Sequence, residues 1–190
     1  MPITEAEFGY PLRSARLFLQ PIALDDAGDV QASCLDWESV RYTSSIPYPY
    51  PENGAQKFIT EALAKWDQGT YRLLAARKQD DATYVGQFGL TFAEDDPGRA
   101  EISYIVTKSV WGQGFGGELA RAGIDHAFRD LGLTSLYARV FLANEPSNRL
   151  IRRLGMRFEK VVRIHASARA CDVDVNWYEL DRADWKEGGR

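Results

Sequence analysis

Trp111-Gly112-Gln113-Gly114-Phe115-Gly116-Gly117-Glu118 is the stretch whose residue types most narrow the chemistry available to this chain. Its glycines run into a segment of helical periodicity, so the turn offers backbone N–H groups that have no intrahelical partner. Those donors, with the positive end of the helix dipole, suit an anion, best a phosphate. Lacking Cβ atoms, the turn also lets a ligand come close or takes up positive φ. Three phosphate ligands compete, beside the plainer alternative that the glycines only tighten a crossover. A P-loop is excluded, because no Gly-Lys-Ser/Thr follows and Glu118 stands where a lysine should attract phosphate. The dinucleotide fingerprint matches as Gly112-x-Gly114-x-x-Gly117, yet it comes five residues after the expected strand end. No acidic residue follows at the next strand tip, and the 73 residues after Gly117 are too few for a second nucleotide-binding half. The pyrophosphate of coenzyme A, which needs only the turn and its neighbouring strands, fits best.

The elements that must hold this turn are legible from periodicity. Ala55, Phe58, Ile59, Ala62, Leu63 and Trp66 form one apolar stripe over a helix at 52–66. Phe115, Leu119, Ala120, Gly123, Ile124, Ala127, Phe128 and Leu131 form another over 115–131, stopped by Gly132. A short helix follows Asn144 as N-cap, with Pro146 in its first turn and Gly155 at its end. A weaker helix is expected at 25–37, and His126, in mid-helix, is expected at the surface. Strands fill 15–21, 71–76, 84–92, 101–106, 135–141, 158–165 and 172–180, each mixing β-branched, aromatic and apolar residues. Three consecutive strands imply an antiparallel meander, and the strand–helix–strand unit around the glycine turn implies a parallel pair. The expectation is an α+β fold: a mixed, mostly antiparallel sheet of about seven strands, with four helices on both faces. One domain over 1–190, with its core at about 12–181, suits a chain of this length.

Composition removes other classes. A 12% aromatic content argues against disorder, and no apolar run reaches the length of a membrane helix. The acidic N-terminus lacks the order of a signal peptide, so a cytoplasmic location is expected. A net charge of −4 argues against nucleic acid as principal partner. Cys34 and Cys171 form no cluster with each other or with histidine, so no disulfide framework or metal is expected, only two reduced, partly buried thiols. Residues 143–170 hold seven Lys/Arg against two Asp/Glu, either a solvated face or a meeting point for the 3′-phosphate of coenzyme A or an acidic acceptor.

Two segments resemble the GNAT N-acetyltransferases. The run from Val106 through Trp111-Gly112-Gln113-Gly114 to Leu119 is similar to their cofactor loop. Asn144-Glu-Pro-Ser147-Asn148, continuing to Leu154-Gly155-Met156-Arg157-Phe158, is similar to their second motif. The Trp-Gly-x-Gly form and Ile46-Pro-Tyr48-Pro-Tyr50-Pro51 resemble the branch that contains the ribosomal-protein acetyltransferases RimJ and RimL. Trp111 stands where the wider family has Gln or Arg, and Met156 where it usually has Phe.

The resemblance implies acetyl transfer from acetyl-CoA to an amine, with no covalent enzyme intermediate and no metal. The acceptor would be a protein N-terminus or a small molecule, and the protein could work as a homodimer. By the same resemblance, the N–H groups of Gln113, Gly114, Phe115, Gly116 and Gly117 hold the diphosphate, with Gly112 and Trp111 shaping the turn. Tyr104, Ile105 and Val106 pair with the pantetheine arm, and the N–H of Ile105 faces the developing oxyanion. Glu101 is the first candidate for general base, and His165 its rival. Ser147 protonates the leaving thiolate in place of a tyrosine, since the position that relatives use holds Ile151. Asn144 caps its helix and also reaches the cofactor, which Asn148 faces. Tyr48 and Tyr50, in a proline-stiffened loop, flank the acceptor. Two other classes stay open: a coenzyme-A-binding sensor without catalysis, and an NAD-binding protein.

Overall fold

The computed structural model describes residues 9–187. Short apolar alternations give β1 (Leu12–Arg13) and β2 (Leu17–Pro21), followed by α1 (Ala27–Cys34), α2 (Trp37–Val40) and α3 (Gly54–Asp67). A meander of β3 (Tyr71–Lys78), β4 (Tyr84–Phe92) and β5 (Arg99–Val106) leads through the glycine turn into α4 (Phe115–Arg129). Then come β6 (Ser135–Phe141), α5 (Glu145–Arg153), β7 (Arg157–Ala166) and β8 (Cys171–Asp181). All eight strands join one sheet in the order β1-β2-β3-β4-β5-β6-β8-β7. Every neighbouring pair is antiparallel except β5–β6, the pair that the α4 crossover joins.

The α+β expectation holds, with one strand and one helix more than anticipated. The extra strand is the two-residue β1. The extra helix arises because the helix expected at 25–37 breaks at Asp36, which is extended (φ −87, ψ 115) and caps α2 by accepting from the Glu38 N–H. His126 is not a surface residue but has no exposed area. Tyr10 Oη lies 2.9 Å from its Nε2 and Asp130 Oδ2 2.8 Å from its Nδ1, so both ring nitrogens are engaged. Cys34 is buried as expected, whereas Cys171 is exposed at the start of β8.

Each face of the sheet carries its own core. Phe115, Leu119, Ile124 and Phe128 of α4 and Ile151 of α5 pack on one face against Phe88, Ile102, Leu136 and Tyr178. On the other face Ala55, Ile59 and Ala62 of α3 and Val30 of α1 pack against Leu73 and Ala75. β4 lies under both layers, which is why seven of its nine residues are buried without alternation.

One register decides what β5 can offer. Ala93 N donates to Arg99 O and Thr107 N to Val85 O, each at 2.9 Å, and an unbroken register between them pairs Gly89 with Ser103 and Gln87 with Ile105. Because hydrogen-bonded pairs alternate along such a ladder, Glu101, Ser103 and Ile105 turn their main-chain groups towards β4, and Tyr104 and Val106 turn theirs away. Side chains alternate too: Tyr104 and Val106 join the α4 core, and Ile105 the α3 core.

Candidate active site

A wedge opens where two parallel strands part. β5 and β6 pair only at Arg99↔Ser135, Ala100↔Leu136 and Glu101↔Tyr137. Beyond Glu101 the main chain of Tyr104 and Val106 faces the gap, as an edge that an extended ligand can pair with. This corrects the expected oxyanion donor: the Ile105 N–H lies in the β4 ladder, so the amides available to the gap are those of Tyr104 and Val106. Trp111, which is 45% exposed, donates its indole N–H to Val106 O at 2.8 Å and so pins the glycine turn to the strand end.

The turn leaves the start of α4 unpaired. Among the described residues the N–H groups of Gly114, Phe115, Gly116 and Gly117 have no acceptor. Gln113 departs from expectation: its N–H points to Val110 O at 3.4 Å and its carbonyl accepts from Arg16 at 3.0 Å. Gly114 sits at φ +82 as the N-cap, a conformation that costs other residues about 1–2 kcal/mol. A Cβ on Gly116 would lie 3.4 Å from Val106, and one on Gly117 3.4 Å from Leu150, so larger side chains there would fill the space between turn, strand and α5. Glu118 does not repel an anion freely. It is taken by Ser14 at 2.7 Å and by Arg16 at 2.6 and 2.7 Å. Burial pushes its carboxyl up, but those hydrogen bonds and the Arg16 charge outweigh burial and hold it below its ordinary value. The residues therefore fit a diphosphate at the turn and an extended arm in the wedge.

On the α5 side of the wedge, Tyr104 Oη lies 2.9 Å from Ser147 Oγ. Burial pushes the phenol up to about 12, although Ser147 pulls the other way, so it stays a neutral donor at physiological pH. The sequence placed Tyr104 here as backbone and missed the hydroxyl pair, because only the register shows its side chain pointing at α5. Asn144 caps α5, its Oδ1 accepting from Ser147 N at 3.3 Å. Asn148 has no capacity left for a cofactor. Its Nδ2 donates to the carbonyls of Phe141, Leu142 and Asn144, and its Oδ1 accepts from Asn176 at 2.8 Å and Tyr178 at 2.9 Å.

On the opposite face, Glu101 stands at the vertex of the wedge, with both carboxylate oxygens held by Arg139 at 2.8 and 2.6 Å. The Glu101 hydrogen bonds hold the Arg139 guanidinium above its ordinary value. The alternation Tyr137, Arg139, Phe141 against apolar Leu136, Ala138, Val140 was the signal in the sequence that could have revealed this partner. His165 is not here. It pairs with Asp172, whose parity with Tyr178 along β8 puts both on the α5 face. Tyr50 also serves elsewhere, packed in the α3 core that holds Cys34. Tyr48 is exposed and packs its ring on Trp37 at 5.1 Å.

Trp37 belongs to a strap across this face. Asp36 pairs with Lys108 beyond the end of β5 at 3.1 Å, and the Tyr42 ring meets Phe141 at the end of β6 at 6.4 Å. Ala168, in the β7–β8 turn, donates to Ser44 O at 2.9 Å, and Arg169 donates to Val40 O and lies over Trp37. Three of the seven basic residues in the run are paired: Arg149 with Glu145, Arg157 with Asp181 and Asp184, and Arg163 with Asp174. Among the described residues no group of three or more His, Cys, Asp or Glu could hold a metal, and no helix is long and apolar enough to cross a membrane.

Comparison with known proteins agrees with this geometry. Residues 16–157 match the family model described as an acetyltransferase (GNAT) domain. The chain is 26% identical over 175 residues to the N-acetyltransferase p20 of Bacillus licheniformis, covering 92% of this chain and 97% of that one. Its fold is similar to Mycobacterium smegmatis RimJ in complex with CoA-disulfide (TM-score 0.77, 19% identity, 87% of this chain and 81% of that one). It is also similar to RimL, the ribosomal L7/L12 α-N-protein acetyltransferase in complex with coenzyme A (TM-score 0.76, 18% identity, 88% and 95%). A sheet that parts beside an uncapped, glycine-lined helix start, in a chain matched over most of its length, is that of an N-acetyltransferase enzyme, and the chain belongs to the GNAT acetyltransferase family.

Proposed function

We propose that the protein moves an acetyl group from acetyl-CoA to a primary amine, on a protein N-terminus or a small molecule, by direct attack within a ternary complex. The observation that carries this reading is the wedge, where the β5 edge runs on beyond its last β6 pair at Glu101, with the Tyr104–Ser147 hydroxyls on the α5 side and Glu101 on the strap side. Bound coenzyme supplies the acetyl thioester. The N–H groups of Gly114 through Gly117 hold the diphosphate where the helix dipole favours it. The main-chain edge of Tyr104 and Val106 pairs with the arm, and one of those two amides faces the carbonyl oxygen as negative charge grows there. The Tyr104–Ser147 pair delivers a proton to the leaving sulfur, a modest task for a thiol whose ordinary pKa is near 8.5. Glu101, with both oxygens paired to Arg139, keeps further lone pairs that can accept hydrogen bonds from the amine at the vertex, and the ammonium proton passes to water beside it.

Acetyl-CoA should raise the melting temperature while NAD leaves it unchanged, and an amine panel scored by thiol release should identify the acceptor. Glu101→Gln should raise the KM for that amine and leave acetyl-CoA affinity intact. A protein that ignores acetyl-CoA, or that binds it and releases no thiol with any amine, would overturn the proposal.

A further inference from the structure

Ser103 is the single exposed residue of β5. It lies in the middle of the sheet, two residues past the vertex, on the strap-side face between Glu101 and Ile105. At about 3.4 Å per residue its Cα stands roughly 7 Å from that of Glu101. The space over its β4 partner is kept clear by a glycine. A Cβ on Gly89 would lie 2.7 Å from Ser103 Oγ and 2.6 Å from Tyr71 Oη, so two hydroxyls occupy the volume that a side chain would take. Tyr71, from β3, brings its hydroxyl into the same space over Gly89 as that of Ser103 and packs against the α3 core. Burial pushes its phenol up to about 12 against the pull of Ser103, so it is a neutral partner throughout the physiological range. The Ser103 main chain is committed to β4, which leaves only the side chain turned to the acceptor side, next to the Tyr104 amide that faces the wedge.

Resting on the acetyl-transfer reading above, we propose that Ser103 Oγ accepts a hydrogen bond from the attacking amine and aims its lone pair into the wedge, with Tyr71 as the positioning residue that fixes the Ser103 rotamer. As the C–N bond forms and the C–S bond breaks, the amine proton leaves to water, the sulfur takes a proton from the Tyr104–Ser147 pair, and water returns one to that pair. Ser103 thus begins and ends neutral, and its contribution is orientation.

The test compares Ser103→Ala, Ser103→Thr and Tyr71→Phe in the full chain, with thiol release from acetyl-CoA as the readout. The nucleophiles are spermidine, a peptide with a free N-terminal serine, and water alone. Loss of one neutral hydrogen bond predicts that Ser103→Ala lowers kcat/KM for the nucleophile about 3–10-fold. Acetyl-CoA affinity and melting temperature should stay at wild-type values, Ser103→Thr should restore most of the rate, and Tyr71→Phe should fall between. Unchanged kcat/KM in Ser103→Ala overturns the proposal, as does a loss matched by weaker acetyl-CoA binding or lower melting temperature. If acetyl-CoA gives wild-type protein no thermal shift, the transfer reading itself fails and this inference falls with it, a result distinct from intact binding with an unaffected Ser103→Ala.

Discussion

Asn148→Ala separates a structural asparagine from a cofactor ligand. The side chain is 5% exposed and joins three parts of the fold: the β6–α5 turn, α5 itself and β8. Truncation strips the acceptor from the hydroxyl of Tyr178, which has no exposed area, and from Asn176, and the donor from the carbonyls of Phe141 and Asn144. One fully buried orphan costs about 1–3 kcal/mol and each lost ordinary bond about 0.5–1.5 kcal/mol, so a total of roughly 3–5 kcal/mol is expected, with part recovered where water enters. For a chain of this length that is a fall of roughly 6–20 °C in melting temperature. A cycle with Tyr178→Phe sharpens the test, because removing both partners of one bond leaves no orphan, and the double variant should recover about 1 kcal/mol relative to additivity. The assay is thermal unfolding alongside acetyl-CoA titration below the lowered midpoint. A variant that melts within about 2 °C of wild type yet loses acetyl-CoA binding would refute the reasoning and restore the expectation that Asn148 faces the cofactor.

Gly114→Val should abolish the acetyl-CoA thermal shift, because a β-branched residue at φ +82 must rearrange the turn; unchanged binding would remove the N–H cradle. Tyr104→Phe should lower kcat about 10–100-fold with acetyl-CoA affinity retained, as for loss of an acid that assists a modest leaving group. Since the Tyr104 hydroxyl titrates only near 12, wild-type kcat should show no alkaline loss from this group below about pH 10, checked by a pH–rate profile. Stability should fall as pH drops below about 6.5. Burial, resisted by Asp130 and reinforced by the charges of Arg129 and Arg72, lowers His126 in the fold, so the unfolded chain binds more protons there. Asp130, also lowered, loses its contribution only at more acidic pH, and His126→Gln should flatten the slope of melting temperature between pH 7 and 5.

The sequence made the glycine turn, its helix and the capped α5 legible, because each rests on local rules: unpaired amides, a 3.6-residue stripe, Asn144 followed by Pro146, and Gly155 at φ +93. What could not be read depends on partners far along the chain. The Ile105 amide was misassigned because only the β4 register shows which way a strand residue turns. His126 looked peripheral because its companions are Tyr10, 116 positions away, and the buried side of α4. Glu101 was identified without Arg139, 38 positions on, and Asn148 without Tyr178 and Asn176, which exhaust it. The helix expected at 25–37 failed for a local reason that was visible, Asp36 acting as a second cap.

The strap over the wedge joins residues more than 120 positions apart, from Val40 and Ser44 to Ser167 and Arg169. Such a closure forms only after everything between has emerged. A nascent chain that stops short of Arg169 carries β5, the glycine turn, α4 and α5, but not β8, whose Asn176 and Tyr178 hold Asn148 of α5 in place. The opposite rim is then unfinished, because the β7–β8 turn that the 36–44 segment fastens to does not yet exist. Both rims of the wedge therefore wait on the same late segment, β8 and the turn before it, and the donor and acceptor sides are completed together at the end of synthesis.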